Sequence, residues 1–211
     1  MLSTVTELSV FLPGPAGRLE AIWTPSVTSS GRAAVICHPH PLYGGTMSNK
    51  VVTTLARVWR EAGVATLRFN FRGVGASAGV HDEGRGEQDD LRAVLLWLRD
   101  TQGITEVAVA GFSFGAWVAC AVVDAGLPPE LRLTKLVLVA PPVQYSGFAE
   151  LQPPADTLVL QGDDDDIVAP AAVAAWVASR RSPPVLLRFS QAGHFFHGRL
   201  AALKAELAAR I

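Results

Sequence analysis

The sequence predicts an α/β fold: one mostly parallel, eight-stranded sheet with helices on both faces and no cap domain. Two observations predict it. Short, continuously apolar runs that end in loops are typical of strands buried on both faces of a parallel sheet, and amphipathic helical patterns lie between them. Alternating β and α segments favour right-handed crossovers. Six such runs occur, at residues 33–37, 64–69, 106–110, 135–140, 157–160 and 185–189.

Two further strands precede these runs. Residues 4–12 and 18–23 have the composition of short β segments, and residues 13–17 between them, Pro-Gly-Pro-Ala-Gly, favour a tight hairpin turn. The hairpin brings the predicted number of strands to about eight.

Four helical patterns lie between or after the apolar runs. Each places apolar residues at i, i+3 or i+4, and i+7, so that one face of the helix packs on the sheet. We therefore expect a single domain that spans residues 1–211. The four sets are Val51, Leu55, Val58 and Trp59; Leu91, Val94, Leu95 and Leu98; Val173, Trp176 and Val177; and Leu200, Leu203 and Leu207.

The charge balance argues against partners that are selected by bulk electrostatics. Lys and Arg number 18, Asp and Glu number 19, and the formal net charge is −1, so no excess charge draws the chain to nucleic acid or anionic lipid. Cys37 and Cys120 lie in apolar stretches, which indicates buried thiols in a reducing compartment. The chain shows no signal-peptide pattern and no apolar run near the ~18 residues that cross a bilayer. We expect a cytoplasmic protein without nucleic-acid or membrane partners; no feature predicts an oligomeric state.

The most informative motif is Gly-x-Ser-x-Gly at residues 111–115. A buried strand leads into it, and a helical segment of small residues follows at 116–125. Such a strand, turn and helix hold a serine hydroxyl above the sheet, at the positive end of the helix. We predict Ser113 as a nucleophile and the backbone N–H of Phe114 as an oxyanion donor.

A serine nucleophile needs a base, and the base needs an orienting acid. After a motif of this kind the acid and then the histidine follow in chain order. Four aspartates at residues 163–166 follow one strand, and His194 and His197 follow the last strand. Because the carboxyl ends of parallel strands meet at one edge of a sheet, these groups are expected near Ser113.

These motifs resemble those of the α/β-hydrolase fold, and in particular those of the small bacterial serine hydrolases without a lid that are similar to dienelactone hydrolase. The resemblance extends from about Arg18 to Leu200. It implies a serine hydrolase that acts on esters or related acyl compounds without a cofactor. Its most specific stretches are residues 38–47, 72–77, 111–115, 162–168 and 193–198.

The resemblance also implies which acid acts, and the positions of the two histidines favour one of them as the base. The family places the acid three residues after the glycine of its loop, which is Asp165 here, with Asp166 as the next choice. His194 is favoured as the base because Gly193 precedes it and it follows soon after the last strand. His197 is expected to cap or begin the final helix.

A second oxyanion donor is expected from the loop after the third strand, residues 38–45. Its prolines have no N–H to donate, which leaves His40, Leu42 and Tyr43. The stretch at residues 42–44 resembles the oxyanion loop of the dienelactone-hydrolase group and implies Leu42, with His40 as the reserve.

One alternative interpretation is a dinucleotide site, because residues 73–78 fit the pattern G-x-G-x-x-A. The next helix is expected only near Glu87, and no acidic residue closes the following strand, so the pattern lacks its usual context. The loop resembles instead the Arg-Gly-x-Gly-x-Ser turn of these hydrolases, many of which carry Asp at the position of Asn70.

Two other functions remain as alternatives. His38, His40 and His194 with the acidic cluster are candidate ligands of Zn²⁺ in a metal-dependent hydrolase. A non-catalytic binding module on a hydrolase scaffold is the second alternative; the complete set of Ser113, Asp165 and His194 argues against it. The favoured interpretation requires no metal and no cofactor.

The connection at residues 141–156 limits the substrate, because it is too short for a helical lid. We expect an open, shallow site for small or short-chain acyl substrates, and a small-molecule ester as the partner. Its expected substrate contacts are Tyr43, Phe112, Tyr145 and Phe195.

Overall fold

The structure, a computed structural model, describes residues 6–28 and 31–211. The strands in this part of the chain are β1 (Leu8–Gly14), β2 (Gly17–Thr24), β3 (Arg32–Cys37), β4 (Ala65–Phe69), β5 (Glu106–Phe112), β6 (Arg132–Val139), β7 (Leu158–Gly162) and β8 (Val185–Phe189). They form one sheet in the order β1-β2-β4-β3-β5-β6-β7-β8. β1 and β2 form the predicted hairpin, β2 pairs antiparallel with β4, and the other pairs are parallel. The predicted α/β architecture is confirmed; residues 4 and 5 of the predicted first strand lie outside the described residues.

The helices cover both faces of this sheet, as predicted. They are α1 (Lys50–Glu61), α2 (Arg85–Gln102), α3 (Phe114–Asp124), α4 (Pro170–Ala178) and α5 (Leu200–Ala208). Residues of α1 and α5 belong to the hydrophobic core on one face, and residues of α2, α3 and α4 to the core on the other. Within the described part of the chain, no helix combines the length and the apolar character that crossing a membrane requires.

The central strand β3 shows why the apolar runs are continuous. Ala33, Val35 and Cys37 point into one core, and Ala34 and Ile36 into the other. All five are buried. Since both faces of the strand are buried, each large apolar side chain stabilises the fold by about 1.5–3 kcal/mol. A polar residue at any of these positions does not give this stabilisation.

The connection between β6 and β7 contains no helix or strand and does not form a lid. Phe148, at its middle, is fully buried. Its ring packs against that of Trp176 with centroids 4.9 Å apart, and Trp176 Nε1–H donates to the carbonyl oxygen of Phe148 at 3.3 Å. These contacts hold the connection flat against α4.

The glycine-rich loop after β4 forms hydrogen bonds to other residues of the protein. The N–H of Ala76 and the side-chain amide of Asn70 both donate to Glu20 Oε2 at 2.8 Å. α2 begins only at Arg85, so the loop does not lead into a helix as a dinucleotide site requires. The amide of Asn70 fits this position because an aspartate there would set a second carboxylate against Glu20.

Candidate active site

Ser113 stands at the sharp turn between β5 and α3. Its φ of 53° and ψ of −118° put a non-glycine residue in a region that L residues adopt only when the surroundings enforce it. A Cβ at Gly111 would lie 2.1 Å from the carbonyl oxygen of Gly115. Because only hydrogen fits in that gap, the strand and the helix close on each other and hold Ser113 at the sheet edge.

Gly115 brings the start of α3 against the loop that follows β3. A Cβ at Gly115 would lie 2.4 Å from the carbonyl oxygen of Cys37 and 2.5 Å from that of His38. Phe114 is the first residue of α3, so its N–H has no acceptor within the helix. The first predicted oxyanion donor, Phe114, therefore adjoins the loop that is expected to supply the second.

Two hydrogen bonds link Ser113 to Asp165 through His194. His194 Nδ1 lies 2.9 Å from Asp165 Oδ2, and His194 Nε2 lies 3.1 Å from Ser113 Oγ. An ionised carboxylate only accepts hydrogen bonds, so Nδ1–H donates to Asp165 and Nε2 accepts from the hydroxyl. All three residues are buried. The structure thus brings together the serine, aspartate and histidine that the sequence motifs select.

Four donors hold the carboxylate of Asp165. Oδ1 accepts from the N–H groups of Ile167 and Val168 at 2.9 and 2.8 Å, and Oδ2 accepts from His194 and, at 3.0 Å, from Gln161 Nε2. Burial raises the pKa of the Asp165 carboxyl, but the hydrogen bonds from His194, Val168 and Ile167 outweigh burial and leave this pKa below its ordinary value. Asp165 is therefore ionised at neutral pH and orients the imidazole.

The neighbouring aspartates do not face His194. Asp163 accepts a hydrogen bond from Arg188 Nε at 2.7 Å, while Asp164 and Asp166 are exposed. Of the four aspartates at residues 163–166, Asp165 is the one bonded to the imidazole.

Gln161 belongs to this arrangement, and sequence reasoning missed it. It is buried at the end of β7, and its Nε2 donates to Asp165. The available signal was a polar residue closing an apolar strand, because such a residue is buried only where its hydrogen-bonding groups find partners. The partner itself depends on the turn that follows, which strand periodicity does not describe.

His194 faces Ser113, whereas His197 does not. The His194 ring packs against Phe112 with centroids 5.1 Å apart. His197 is exposed and stacks on Phe195 at 5.9 Å. α5 begins at residue 200 with residue 199 as its N-cap, so the expectation that His197 caps or begins this helix is wrong.

His38 anchors the loop after β3. Its Nε2 accepts from the N–H of Phe71 at 3.0 Å, so Nδ1 carries the proton and donates to the carbonyl oxygen of Pro39 at 2.6 Å. Burial lowers the pKa of His38 to about 4. The ring is therefore neutral at physiological pH, and it joins the loop after β3, through Nδ1, to the segment after β4, through Nε2.

The N–H of Leu42, the predicted second oxyanion donor, is already engaged. It donates to His40 Nδ1 at 3.2 Å within a 3₁₀ turn, and the Leu42 residue is 70% exposed. The N–H of Tyr43 donates to the carbonyl oxygen of His40 at 3.1 Å, whereas the N–H of His40 donates to no residue in the described part of the chain. The choice of Leu42 is corrected on this ground, because its N–H has another acceptor, whereas the N–H of the reserve, His40, has none among the described residues.

Known proteins with the same architecture are similar to this chain in sequence. The profile of the X-Pro dipeptidyl-peptidase (S15) family matches residues 18–138, more than half of the chain. An α/β serine hydrolase without a lid from Xanthomonas campestris is 42% identical with a TM-score of 0.88, covering 99% of this chain and 94% of its own. An α/β serine hydrolase homologue from Coxiella burnetii is 44% identical with a TM-score of 0.91, covering 99% of each chain. An uncharacterized protein of Rickettsia prowazekii is 39% identical over 165 residues, which are 76% of this chain and 68% of that protein.

This chain belongs to the S15 family of α/β hydrolases, and it is a serine hydrolase without a lid. The resemblance that its motifs show is thereby confirmed for the fold and the family. Family membership establishes hydrolysis.

The hydrolase has a cavity of about 200 Å³ beside Ser113 and His194. Three of the predicted substrate contacts, Tyr43, Tyr145 and Phe195, line it. The described lining residues include no Lys, Arg, Asp or Glu. They are Pro39, His40, Tyr43, Gly44, Gly45, Asn49, Ser113, Tyr145, Ile167, His194 and Phe195.

Phe112, the fourth predicted substrate contact, lies outside this lining. Its side chain is fully buried and packs against His194 and Phe195, with ring centroids 5.1 and 6.0 Å away. Strand alternation explains the correction, because Phe112 points into the core that contains α1 and α5. Phe112 therefore packs against the catalytic histidine and does not line the cavity.

The three histidines proposed as alternative metal ligands are engaged elsewhere. Both ring nitrogens of His38 are bound to backbone groups, His40 Nδ1 accepts a backbone N–H, and His194 is bonded to Ser113 and Asp165. Across residues 6–28 and 31–211, no three His, Cys, Asp or Glu side chains are grouped to hold a metal ion. The donor geometry therefore does not fit the metal-dependent alternative.

Proposed function

We propose that this hydrolase cleaves small, uncharged carboxylic esters with Ser113 as nucleophile, His194 as base and Asp165 as the orienting acid. The observation that carries the proposal is the pair of hydrogen bonds, 3.1 and 2.9 Å long, that joins these three side chains beside a cavity. A serine hydroxyl becomes a nucleophile when an oriented base removes its proton.

The reaction begins when Ser113 Oγ attacks the ester carbonyl carbon and His194 Nε2 takes its proton. Asp165 keeps the imidazole in the required tautomer and stabilises the imidazolium. The tetrahedral intermediate collapses, the bond to the alcohol oxygen breaks, and His194 returns the proton to the departing alcohol. Water, deprotonated by His194, then attacks the acyl group on Ser113, and the carboxylic acid leaves as the serine recovers its proton.

The oxyanion of each intermediate is stabilised by the N–H groups of Phe114 and His40. Phe114 supplies a donor at the N-terminus of α3, where the helix dipole also favours negative charge. His40 supplies the second donor, since its N–H bonds to no described residue. Gly115 supports this pairing by letting the two segments approach. Such fixed donors act where negative charge develops in the transition state.

The lining of the cavity supports an uncharged ester over a peptide with a free amino terminus. A site that releases dipeptides must bind the substrate's ammonium group, for which a carboxylate is the natural partner. The described lining residues are aromatic, small or apolar, with one amide, Asn49, and none of them is a carboxylate. A volume of about 200 Å³ also favours small acyl and alcohol groups over long chains.

We also propose a partner and a cellular location for this hydrolase. The partner is a small-molecule ester, with no nucleic acid or membrane, in keeping with a formal net charge of −1. A cytoplasmic location is supported by the two cysteines, Cys37 and Cys120, which are buried and free, as expected where thiols stay reduced.

The proposal is tested by labelling the pure protein with a fluorophosphonate probe beside a Ser113→Ala control. p-Nitrophenyl acetate, butyrate and octanoate then compare ester chain lengths, and glycyl-proline p-nitroanilide provides the peptidase comparison. We expect labelling that depends on Ser113, turnover of the acetate and butyrate, and little turnover of the octanoate or the anilide. An unlabelled wild type, or a Ser113→Ala variant with full esterase activity, contradicts the mechanism; a preference for the anilide contradicts the substrate.

A further inference from the structure

We propose that His81, anchored by Glu87, is a positioning residue for the oxyanion hole. The inference rests on the proposed function. It concerns a histidine that is outside the cavity lining, bonds to neither His194 nor Asp165, and lies in the segment that leads into α2.

The ring of His81 contacts both residues that supply the proposed oxyanion donors. Its centroid lies 4.9 Å from that of His40 and 5.5 Å from that of Phe114. The His40 and Phe114 rings are themselves 4.9 Å apart. His40 belongs to the loop after β3 and Phe114 to the first turn of α3, so the three rings join three separate segments of the chain. A shift of His81 is transmitted to both donors.

Glu87 fixes the position of His81 from the protein interior. The Glu87 side chain is fully buried, and its Oε1 lies 2.8 Å from His81 Nδ1. The carboxylate also accepts the N–H groups of Asp82 at 3.0 Å and Gly84 at 2.8 Å. A buried carboxylate with three donors has one orientation, because each lost bond leaves a buried polar group unpaired. The imidazole bonded to it is therefore held as well.

The segment that carries His81 is also pressed against α3. A Cβ at Gly84 would lie 2.3 Å from the ring of Trp117, and Trp117 packs edge to face on Phe114 with centroids 5.8 Å apart. Gly84 has a φ of 89°, a conformation that glycine adopts without strain. At the start of α2, Glu87 accepts the N–H of Gly84 at 2.8 Å and Asp82 accepts that of Gly86 at 3.1 Å, so these caps do not require the contacts of the His81 ring with the two donor residues.

Oxyanion donors act only when they are held within about 0.5 Å of their productive positions, at about 2.7–3.1 Å from the oxygen that becomes negatively charged. They contribute to the transition state more than to the bound ester, so misplacing them lowers kcat and leaves KM nearly unchanged. This separation distinguishes a positioning residue from one that only stabilises the fold.

Three substitutions separate the contributions of His81. His81→Ala removes the ring and the hydrogen bond, His81→Phe keeps a ring but not the donor, and His81→Asn keeps a side-chain N–H near Glu87 but not the ring. His197→Ala is the control, because His197 is exposed and contacts neither donor residue. Each variant is assayed with p-nitrophenyl acetate, and the fluorophosphonate probe counts competent active sites. A variant that merely folds less well then shows fewer sites with an unchanged kcat per site.

We expect kcat per site to fall about tenfold in His81→Ala and His81→Asn, and by less than about threefold in His81→Phe, with KM within about twofold throughout. The control keeps the wild-type kcat. The inference is overturned, and the proposed function stays intact, if His81→Ala keeps a kcat per site within about twofold of wild type. It is also overturned if His81→Phe and His81→Ala lose equal amounts of kcat. A wild type that neither labels nor hydrolyses the ester overturns both proposals.

Discussion

Ser113 Oγ lies 3.1 Å from His194 Nε2, although the two residues are 81 positions apart in the chain. The contact exists because Ser113 follows β5 and His194 follows β8, and parallel strands place their carboxyl ends at one edge of the sheet. The two side chains are therefore positioned by separate strands. Either one can be substituted without changing the element that positions the other.

Replacing either partner of this contact is expected to abolish most of the esterase activity. Ser113→Ala and His194→Ala should each lower kcat on the order of 10⁴-fold or more, because neither leaves an activated nucleophile. His197→Ala is the matched control and should keep nearly full kcat, since its side chain is exposed. Steady-state hydrolysis of p-nitrophenyl acetate measures all three. A large loss in His197→Ala with an active His194→Ala would assign the base to His197 instead.

The choice among the four aspartates is tested by amide substitutions. Asp165→Asn keeps the shape of the side chain but presents the wrong group to His194 Nδ1–H, and kcat should fall about 10⁴-fold. Asp166→Asn should stay within about twofold of wild type, because Asp166 is exposed. Comparable losses in both variants would show that the loop as a whole, and not the Asp165 bond, sustains activity.

The sheet and the order of Ser113, Asp165 and His194 could be predicted because both depend on local patterns. A strand buried on both faces is continuously apolar, and side chains that follow such strands share one edge. Only the choice of Asp165 among its neighbours needed the family spacing; in the structure it follows from the turn that directs its carboxylate to His194.

The oxyanion loop could not be predicted in the same way. Whether His40 or Leu42 offers a free N–H depends on one hydrogen bond, from Leu42 N–H to His40 Nδ1, and no periodicity or composition encodes it. Gln161 and His81 were missed for a related reason. Each acts through a side chain that it meets only after the turns around it are formed.

The assignment of His40 as second oxyanion donor is tested by removing its backbone N–H with proline. The φ of His40 is −54°, which a proline ring accepts. His40→Pro should lower kcat by about 10²–10³-fold with KM little changed. His40→Asn keeps the N–H and an oxygen that can accept from Leu42, and should remain within about tenfold of wild type. If His40→Pro retains the kcat of His40→Asn, the donor lies elsewhere in the loop.

Gly115 is expected to tolerate no side chain, contrary to the usual effect of alanine in a helix. Gly→Ala in a helix ordinarily stabilises by about 1 kcal/mol, but a Cβ here would meet the carbonyl oxygens of Cys37 and His38. Gly115→Ala should therefore destabilise by about 2 kcal/mol or more and lower kcat at least tenfold by separating the oxyanion donors.

A suitable control for that variant is Gly193→Ala, whose Cβ would lie 3.6 Å from its nearest neighbour, the carbonyl oxygen of Asp164. It should change stability by no more than about 0.5 kcal/mol. Urea unfolding and ester hydrolysis measure both variants. A stabilised, fully active Gly115→Ala would refute the close approach of α3 to the loop after β3.

His38 should make the protein less stable in acid. Its pKa is about 4 in the folded chain against an ordinary value of 6.5, chiefly because of burial. Between pH 6.5 and pH 4 the unfolded chain binds the proton more readily than the folded chain. The contribution of neutral His38 to the free energy of unfolding is therefore fully present above about pH 6.5 and is lost as the pH falls toward 4. The loss amounts to about 2–3 kcal/mol at pH 4.5.

The pKa of His40 is also lowered, by burial and by the neighbouring His81. The free energy of unfolding therefore also decreases in acid through His40. Urea unfolding at pH 7.5 and pH 4.5 measures the sum, and the variant His38→Gln isolates the first contribution. Glutamine does not titrate but retains an oxygen that can accept the N–H of Phe71. The variant should therefore be less stable than wild type at pH 7.5 and lose less stability between pH 7.5 and pH 4.5. The same loss in wild type and His38→Gln would mean that other groups set the acid sensitivity and that His38 is not held neutral by the fold.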